Sequence, residues 1–315
     1  MRILVTGGLG HIGSQLIRDL TPLDPEIIRI FDNFSAERYC SLFNLPTNVG
    51  YELIEGDIRN KNAINAAMED IDLVYHLAAL TNAPESFTKK DLTKEVNLIG
   101  TKNVIDACCR SGVEKLLYPS TTSVYGPTDG VAREDCPEDD YKPQSPYAEY
   151  KLLGEREVTQ AHRDYGLDSV VLRLGTIFGS SIGMRFHTAI NKFIFLACTN
   201  RPITVWDGAL NQKRPYLDLI DALSALKFLS KPNLGSGEVF NVVTENLSVQ
   251  QIIDLLRELF PDLKIEVTKN PLLNQLSYFT DDSKIRKIGF SPKGDIRKSM
   301  KETVDLFTGL TKKDG

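Results

Sequence analysis

The chain has 315 residues, of which 42% are hydrophobic and 25% are charged, so it can bury one large core and a smaller one. Its formal net charge of −5 argues against a nucleic acid or an anionic membrane as partner, because both favour a basic surface. No segment resembles a signal peptide, and no apolar run approaches the roughly 20 residues that span a bilayer. We therefore expect a cytoplasmic protein.

Short apolar runs alternate with amphipathic stretches through the first half of the chain, which is typical of βαβ units and a parallel sheet. Strands are predicted at residues 3–5, 27–31, 51–55, 73–77, 115–118 and 169–174. Helices are predicted between them at about 11–20, 60–70, 91–111 and 147–165. The proline-rich, acidic stretch 119–146 is expected to be irregular. This order predicts an α/β fold with a doubly wound parallel sheet of the Rossmann type.

Glycines and serines in residues 175–183 interrupt this alternation and indicate the start of a smaller C-terminal lobe. A helix is predicted at 188–199, followed by a helix and strand in 216–243 that return to the main sheet. An amphipathic helix from Ser248, a strand near 264–267 and a helix from about Asp295 complete the pattern. The first domain is thus assigned to 1–175 with a returning segment at about 212–245. The smaller lobe is assigned to about 176–211 and 246–315.

The five cysteines, at positions 40, 108, 109, 136 and 198, show no Cys-x-x-Cys spacing. An odd number without such a pair indicates reduced thiols in a cytosolic protein. No metal site is predicted from them.

Three glycines follow the first predicted strand at three-residue spacing, and a helix begins at once. Gly7 permits a tight turn, Gly10 lets backbone approach a pyrophosphate, and Gly13 lets the helix pack on the strand. The helix N-terminus presents free N–H groups to the anion. Asp32 directly follows the second predicted strand, where a carboxylate accepts hydrogen bonds from the adenosine ribose hydroxyls and repels a 2′-phosphate. The sequence therefore predicts an NAD site.

Tyr147 and Lys151 are four residues apart in a predicted helix, so their side chains share one face. A neighbouring ammonium favours the phenolate, so we expect Lys151 to lower the pKa of Tyr147 and make it a general base. A run of four hydroxyl residues, 120–123, follows the predicted strand 115–118, at the edge where parallel sheets bind ligands.

Together these residues resemble the extended short-chain dehydrogenase/reductase family, in particular the NAD-dependent epimerase/dehydratase group with nucleotide-sugar enzymes of the UDP-galactose 4-epimerase type. The resemblance runs from residue 1 to about residue 300. It is carried by Thr6-Gly-Gly-Leu-Gly-His-Ile-Gly13, Asp32-Asn33, Gly56-Asp57-Ile58, His76-Leu-Ala-Ala79, Asn97, Ser120-Thr-Thr-Ser-Val-Tyr-Gly126, Ser145-Pro-Tyr147 with Lys151, Leu172-Arg-Leu174, Lys213-Arg-Pro-Tyr-Leu-Asp218, and Tyr278 through Ser283-Lys284.

The resemblance implies that Tyr147 takes the proton of the reacting hydroxyl, Thr121 hydrogen-bonds the reacting oxygen, and Lys151 also holds the nicotinamide ribose. The cofactor-binding residues that it implies are Gly7, Gly10, His11, Ile12, Gly13, Asp32, Asn33, Asp57, Ile58, Leu77, Ala78, Ala79, Asn97, Ser120, Tyr147 and Lys151. The substrate-binding residues that it implies are Thr81, Thr122, Thr176, Arg214 and Tyr278, with Arg214 at a nucleotide diphosphate. A homodimer is also implied, built on the helices near 91–111 and 147–165.

Three departures from the family pattern bear on the reaction. The family's dehydratases have Asp-Glu directly after the catalytic Thr, whereas this chain has Thr122-Ser123. Epimerases usually have an aromatic and an Asn before the glycine, and Leu174-Gly-Thr-Ile-Phe-Gly179 has neither at those positions. Asn270-Pro-Leu-Leu replaces a second arginine that usually contacts the diphosphate.

The leading hypothesis is an NAD-dependent nucleotide-sugar epimerase that acts by transient hydride transfer. A net dehydrogenase or ketoreductase of a sugar or other hydroxy substrate is the alternative, and an NAD-binding regulatory protein without catalysis is a third. Substrate specificity is expected to depend on the loops 80–90, 180–200 and 270–280.

Overall fold

The computed structural model describes residues 1–128, 130–269 and 278–310. The strands in these segments are β1 (Arg2–Thr6), β2 (Ile27–Asp32), β3 (Gly50–Glu55), β4 (Leu73–His76), β5 (Lys115–Thr121), β6 (Val131–Ala132), β7 (Ser169–Leu174), β8 (Thr176–Phe178), β9 (Ile203–Trp206), β10 (Lys213–Asp218), β11 (Val239–Val242), β12 (Glu245–Ser248), β13 (Ile265–Thr268) and β14 (Phe279–Thr280). The helices are α1 (His11–Asp19), α2 (Lys61–Ala67), α3 (Ala83–Ser86), α4 (Lys90–Lys94), α5 (Thr101–Ser111), α6 (Pro146–Tyr165), α7 (Ala189–Cys198), α8 (Leu219–Leu229), α9 (Val249–Leu259), α10 (Ser283–Lys287) and α11 (Ile296–Asp305). A π-helical turn, Glu95–Gly100, joins α4 to α5, so the predicted helix 91–111 is one continuous helical stretch.

Seven strands form a parallel sheet in the order β3-β2-β1-β4-β5-β7-β11, which confirms the predicted fold class. Alternate side chains of its inner strands enter two separate cores, because successive residues of a strand point to opposite faces. In β1, Ile3 and Val5 pack in the core on the α1 and α8 face, and Leu4 packs in the core beneath α2, α5 and α6. Burial on both faces explains why these strands are continuous apolar runs.

Strand β5 is longer than predicted, because it continues through Pro119 to Thr121. A proline cannot donate to a neighbouring strand, so a strand is expected to end before it. Here β5 pairs with β4 only through Lys115–Leu117, whereas its pairing with β7 extends to Thr121. Pro119 therefore has a strand on one side only, and the extension carries Thr121 to the carboxyl edge of the sheet.

The helix that carries Tyr147 and Lys151 has well-defined ends. Ser145 caps its N-terminus by accepting a hydrogen bond from Ala148 N at 3.2 Å. Gly166 ends it in the left-handed conformation, with φ of 70°. These two residues fix α6 at residues 146–165, close to the predicted 147–165.

A smaller group of elements follows β7. The three-stranded sheet β12-β10-β8 and the pair β13-β9 share a core with α7, α9 and α11. Strand β11 pairs in parallel with β7, so the chain returns to the main sheet as predicted. Strand β10, however, which lies in the predicted returning segment, pairs with β8 and β12 instead.

All five cysteines lie in the described residues, and none is in a disulfide. Cys108 and Cys198 are buried, and Cys40 is exposed. Across residues 1–128, 130–269 and 278–310, no helix combines the length and the apolar composition that crossing a membrane requires.

Candidate functional site

The glycine turn brings three segments of backbone into close contact. Gly7 has φ of +69°, and a Cβ on it would lie 2.6 Å from Ala78 N, so only glycine fits. A Cβ on Gly13 would lie 2.4 Å from Gly7 O. Gly10 precedes α1 without a side-chain cap, so the first N–H groups of the helix remain available to a ligand. Free N–H groups in this arrangement can hold an anion.

A buried histidine holds the strand ends beside this turn. His76 Nδ1 lies 2.8 Å from Thr6 Oγ1, and its Nε2 lies 3.0 Å from Thr101 Oγ1. Thr6 Oγ1 also accepts the Ala78 N–H at 3.2 Å. Burial and the nearby Lys151 lower the pKa of His76 to about 3, so the imidazole is neutral and serves as a positioning group.

Acidic side chains lie at the neighbouring strand ends. Asp32 accepts hydrogen bonds from Leu9 N and Phe34 N, both at 3.0 Å, one on each carboxylate oxygen. Asn33 Nδ2 donates to Asp57 Oδ2 at 3.0 Å. Hydrogen bonds from Arg59 lower the pKa of Asp57 to about 2, despite its partial burial. Asp32 is therefore fixed in position, and Asp57 is charged at neutral pH.

These elements enclose a cleft that leaves about 960 Å³ of empty space, part of it open to solvent. Most of the predicted cofactor-binding residues line it together: Gly7, Gly10, His11, Ile12, Gly13, Asp32, Asn33, Asp57, Ile58, Leu77, Ala78 and Ala79. The predicted substrate residue Thr81 lines it as well. Sequence reasoning missed several others, namely Leu9, residues 34–38, Leu80 and Arg185.

Two predicted cofactor residues have side chains that bind other parts of the protein. The Asn97 amide donates to Leu80 O and accepts from Leu80 N, both at 2.8 Å, and thereby fixes the backbone that borders the cleft. Ser120 Oγ donates to Glu155, a buried carboxylate that pairs with Arg173 at 2.7 Å. Direct cofactor contact by Asn97 and Ser120 stays a prediction.

Thr121 and Tyr147 come together where β5 ends beside the N-terminus of α6. The Thr121 hydroxyl is near enough to the Tyr147 phenol to act on its pKa, and Thr121 Oγ1 accepts a hydrogen bond from Ser123 N at 3.1 Å. The Tyr147 N–H donates to Ser86 Oγ at 3.2 Å, which holds the start of the helix against α3. A phenol and a threonine hydroxyl therefore share one polar site.

The predicted effect of Lys151 on Tyr147 is wrong. Burial raises the pKa of Tyr147, and the opposing influences come from Arg185 and from the Thr121 hydroxyl. Lys151 Nζ donates instead to Pro119 O at 2.8 Å and lies 4.6 Å from the centre of the Tyr118 ring. Burial lowers the pKa of Lys151 to about 7.

The predicted substrate residues fall into two groups. Thr122 Oγ1 lies 3.4 Å from Leu174 O and 3.5 Å from the Tyr278 hydroxyl, and the Arg214 guanidinium stacks on the Tyr278 ring at 5.1 Å. Thr176 is next to this group, because β8 pairs with β10. Thr81 is separate from them and contacts the Arg185 guanidinium. The position of the missing second arginine, Asn270-Pro-Leu-Leu, lies outside the described residues.

The fold and this site define a dinucleotide-binding enzyme of the short-chain dehydrogenase/reductase type. Residues 3–242 match the model of the NAD dependent epimerase/dehydratase family, and the chain belongs to that family. The family confirms the predicted enzyme class and cofactor, NAD.

Relatives in this family catalyse more than one reaction. The chain is 32% identical to dTDP-D-glucose 4,6-dehydratase of Mus musculus over 97% of its length and 88% of that protein. It is 30% identical to a trifunctional UDP-glucose 4,6-dehydratase/UDP-4-keto-6-deoxy-D-glucose 3,5-epimerase/UDP-4-keto-L-rhamnose-reductase of Arabidopsis thaliana, over 97% of this chain. It spans 47%, about half, of that relative's length. UDP-glucose 4-epimerase of Thermus thermophilus, solved with NAD, superposes with a TM-score of 0.85 and 26% identity, covering 99% of this chain and 100% of that one.

Proposed function

We propose that this chain is an NAD-dependent nucleotide-sugar epimerase that inverts a hydroxyl-bearing carbon of the sugar, carbon 4 in the first instance. One observation carries the choice: the two residues that follow Thr121, whose hydroxyl acts on the Tyr147 phenol, are Thr122 and Ser123. Elimination of water requires an acid–base pair beside the reacting carbon. Hydroxyl groups at positions 122 and 123 do not supply one, and Thr122 is already near Leu174 O and Tyr278.

In this reaction Tyr147 removes the proton of the sugar hydroxyl as the carbon is oxidised, and returns it when the carbonyl is reduced on the opposite face. Thr121 fixes the reacting oxygen by a hydrogen bond. Lys151, held at Pro119 O, would supply positive charge to the ribose-binding side of the site in its protonated form. NAD supplies the redox chemistry, because its nicotinamide accepts and returns a hydride. Proton and hydride both return to the sugar, so the reaction balances without a second substrate.

The described residues fit this cofactor. The uncapped N-terminus of α1 and the Gly7–Gly10 backbone form a cradle for a pyrophosphate. The fixed carboxylate of Asp32 can accept hydrogen bonds from the ribose hydroxyls and repels a 2′-phosphate, so NAD is favoured over NADP. Residues 1–175 with about 212–245 would form the cofactor domain.

The smaller lobe, about 176–211 and 246–315, would bind the nucleotide part of the substrate. Strand β10 would contribute as well, because it pairs with β8 and β12: its Arg214 supplies a cation for the diphosphate, and Tyr278 beneath it supplies a flat apolar surface. Thr122 and Thr176 border the same region. A homodimer in the cytoplasm completes the proposal.

A 4,6-dehydratase is the second candidate, because the dehydratase of Mus musculus is 32% identical over nearly the whole chain. Incubation with a panel of UDP-, GDP-, CDP- and dTDP-hexoses separates the two activities. We expect a product of unchanged mass with one inverted carbon by NMR, and NAD that stays with the protein in native mass spectrometry. A product that has lost one water would establish a dehydratase, and release of one NADH per turnover would establish a dehydrogenase.

A further inference from the structure

The loop between β8 and α7 lies directly on the glycine turn. His11 Nδ1 is 2.8 Å from Ser181 Oγ, and the Gly183 N–H donates to Ser14 Oγ at 3.0 Å. A Cβ on Gly183 would lie 2.5 Å from Leu9 O, so the close approach requires glycine. This loop is therefore anchored on both sides of the turn, and it carries Arg185 into the cleft.

Arg185 is a cation without an acidic partner. Its guanidinium donates to Thr81 Oγ1, but its Nε is buried and has no hydrogen-bond partner. Within residues 1–128, 130–269 and 278–310, no carboxylate pairs with it, and burial lowers its pKa while Arg38 lowers it further. A buried charge is costly unless an opposite charge and hydrogen bonds compensate for it.

The position of this cation favours the substrate over the cofactor as the source of an anion. The cofactor's pyrophosphate already has its own cradle in the glycine turn and the N-terminus of α1. Arg185 instead contacts Thr81, which lies two residues before α3, and Ser86 of α3 accepts a hydrogen bond from Tyr147 N at 3.2 Å. Arg185 is therefore held by the same segment that holds Tyr147, and its charge also lowers the pKa of the Tyr147 phenol. An anion that satisfied the free Nε would therefore lie near the sugar.

We propose that Arg185 binds an oxyanion of the nucleotide-sugar substrate, next to the hydroxyl group that Tyr147 deprotonates. This inference rests on the proposed function and identifies a recognition residue for its substrate. A planar guanidinium binds carboxylates and phosphates through paired hydrogen bonds. The oxyanion is supplied either by a carboxylate on the sugar ring or by the diphosphate of the nucleotide.

The test measures binding rather than turnover. Calorimetry compares the NAD-loaded wild type and Arg185→Gln for three ligands: the nucleoside diphosphate, its neutral hexose derivative and its hexuronic acid derivative, beginning with the UDP series. Because a hydrogen bond to a charged group contributes about 1.5–3 kcal/mol, we expect affinity to fall by at least about tenfold. A loss confined to the hexuronic acid assigns the sugar carboxylate, and an equal loss for all three ligands assigns the diphosphate.

Two variants control the experiment. Arg185→Lys keeps the charge but loses the paired donors, so it should recover part of the affinity. Arg201→Gln removes the same side chain from an exposed position of the same lobe and should bind like the wild type. Since Arg185 lacks a counterion, Arg185→Gln should melt no lower than the wild type without ligand.

Unchanged affinity for all three ligands in Arg185→Gln would overturn the proposal. So would a weaker affinity for NAD with unchanged affinity for the ligands, because Arg185 would then serve the cofactor. If the wild type itself binds no member of any nucleotide series, the proposed function fails, and that result is distinct from either outcome.

Discussion

Removing the Tyr147 hydroxyl should stop the reaction while leaving the protein folded. In Tyr147→Phe, Thr121 Oγ1 keeps its hydrogen bond from Ser123 N at 3.1 Å, and the backbone N–H at 147 still donates to Ser86 Oγ at 3.2 Å. The substitution removes one hydroxyl group, so the free energy of unfolding should fall by no more than about 0.5–1.5 kcal/mol, the contribution of one hydrogen bond. Loss of a general base lowers the rate by roughly 10²–10⁴, a barrier increase of about 2.7–5.4 kcal/mol. The catalytic effect should therefore far exceed the structural one.

The assay compares turnover on the substrate found in the panel, retained NAD and urea unfolding. Tyr165→Phe is the matched control, because Tyr165 ends the same helix and is 74% exposed. Burial raises the pKa of Tyr147, so kcat/KM of the wild type should rise with pH through neutrality, and this rise should disappear in Tyr147→Phe. If Tyr147→Phe keeps more than half of the wild-type turnover, Tyr147 is not the base.

Three further predictions concern stability and assembly. Burial lowers the pKa of His76 from about 6.5 to about 3, so between these pH values the unfolded chain binds more protons than the folded one. Stability therefore falls as the pH decreases through this window. In His76→Gln the free energy of unfolding should depend less steeply on pH, by up to about 1.4 kcal/mol per pH unit near pH 5, and an unchanged dependence would contradict this. Gly7→Ala should lower the free energy of unfolding in urea more than Gly112→Ala does. Both glycines have positive φ, but only a Cβ at Gly7 would overlap backbone, at 2.6 Å from Ala78 N. Equal losses in the two variants would show that this overlap does not matter. Ile99 is 41% exposed on the helix expected to form the dimer, so Ile99→Glu should give a monomer by light scattering at micromolar concentration, and a monomeric wild type would rule the dimer out.

The sequence was sufficient for the parts that depend on local pattern. The parallel strands were predicted because burial on both faces leaves continuous apolar runs, and the glycine turn because each glycine there has a specific steric reason. The extension of β5 to Thr121 was missed, because the cost of Pro119 depends on whether a strand lies on its N–H side. That information is tertiary.

The electrostatics of the site could not be predicted from spacing. Four residues of helix bring Lys151 near Tyr147, but the ammonium is held by Pro119 O, on a strand end whose position the spacing does not reveal. Arg185 was missed because its loop, 179–188, has no periodic pattern. The available signal was a single arginine in a glycine- and serine-rich loop after a short strand, and only contacts with His11, Ser14 and Thr81 bring it to the cleft.

The proposed epimerase reaction is tested most directly with a nucleotide sugar that carries deuterium on the carbon to be inverted. The natively purified protein is incubated with this substrate and an excess of unlabelled NAD, and the product is analysed by NMR and mass spectrometry. The account predicts an epimer of unchanged mass with deuterium still on the inverted carbon, because the transferred hydrogen never leaves the cleft. Loss of the label to the NAD pool, or a product that lacks one water, would contradict it.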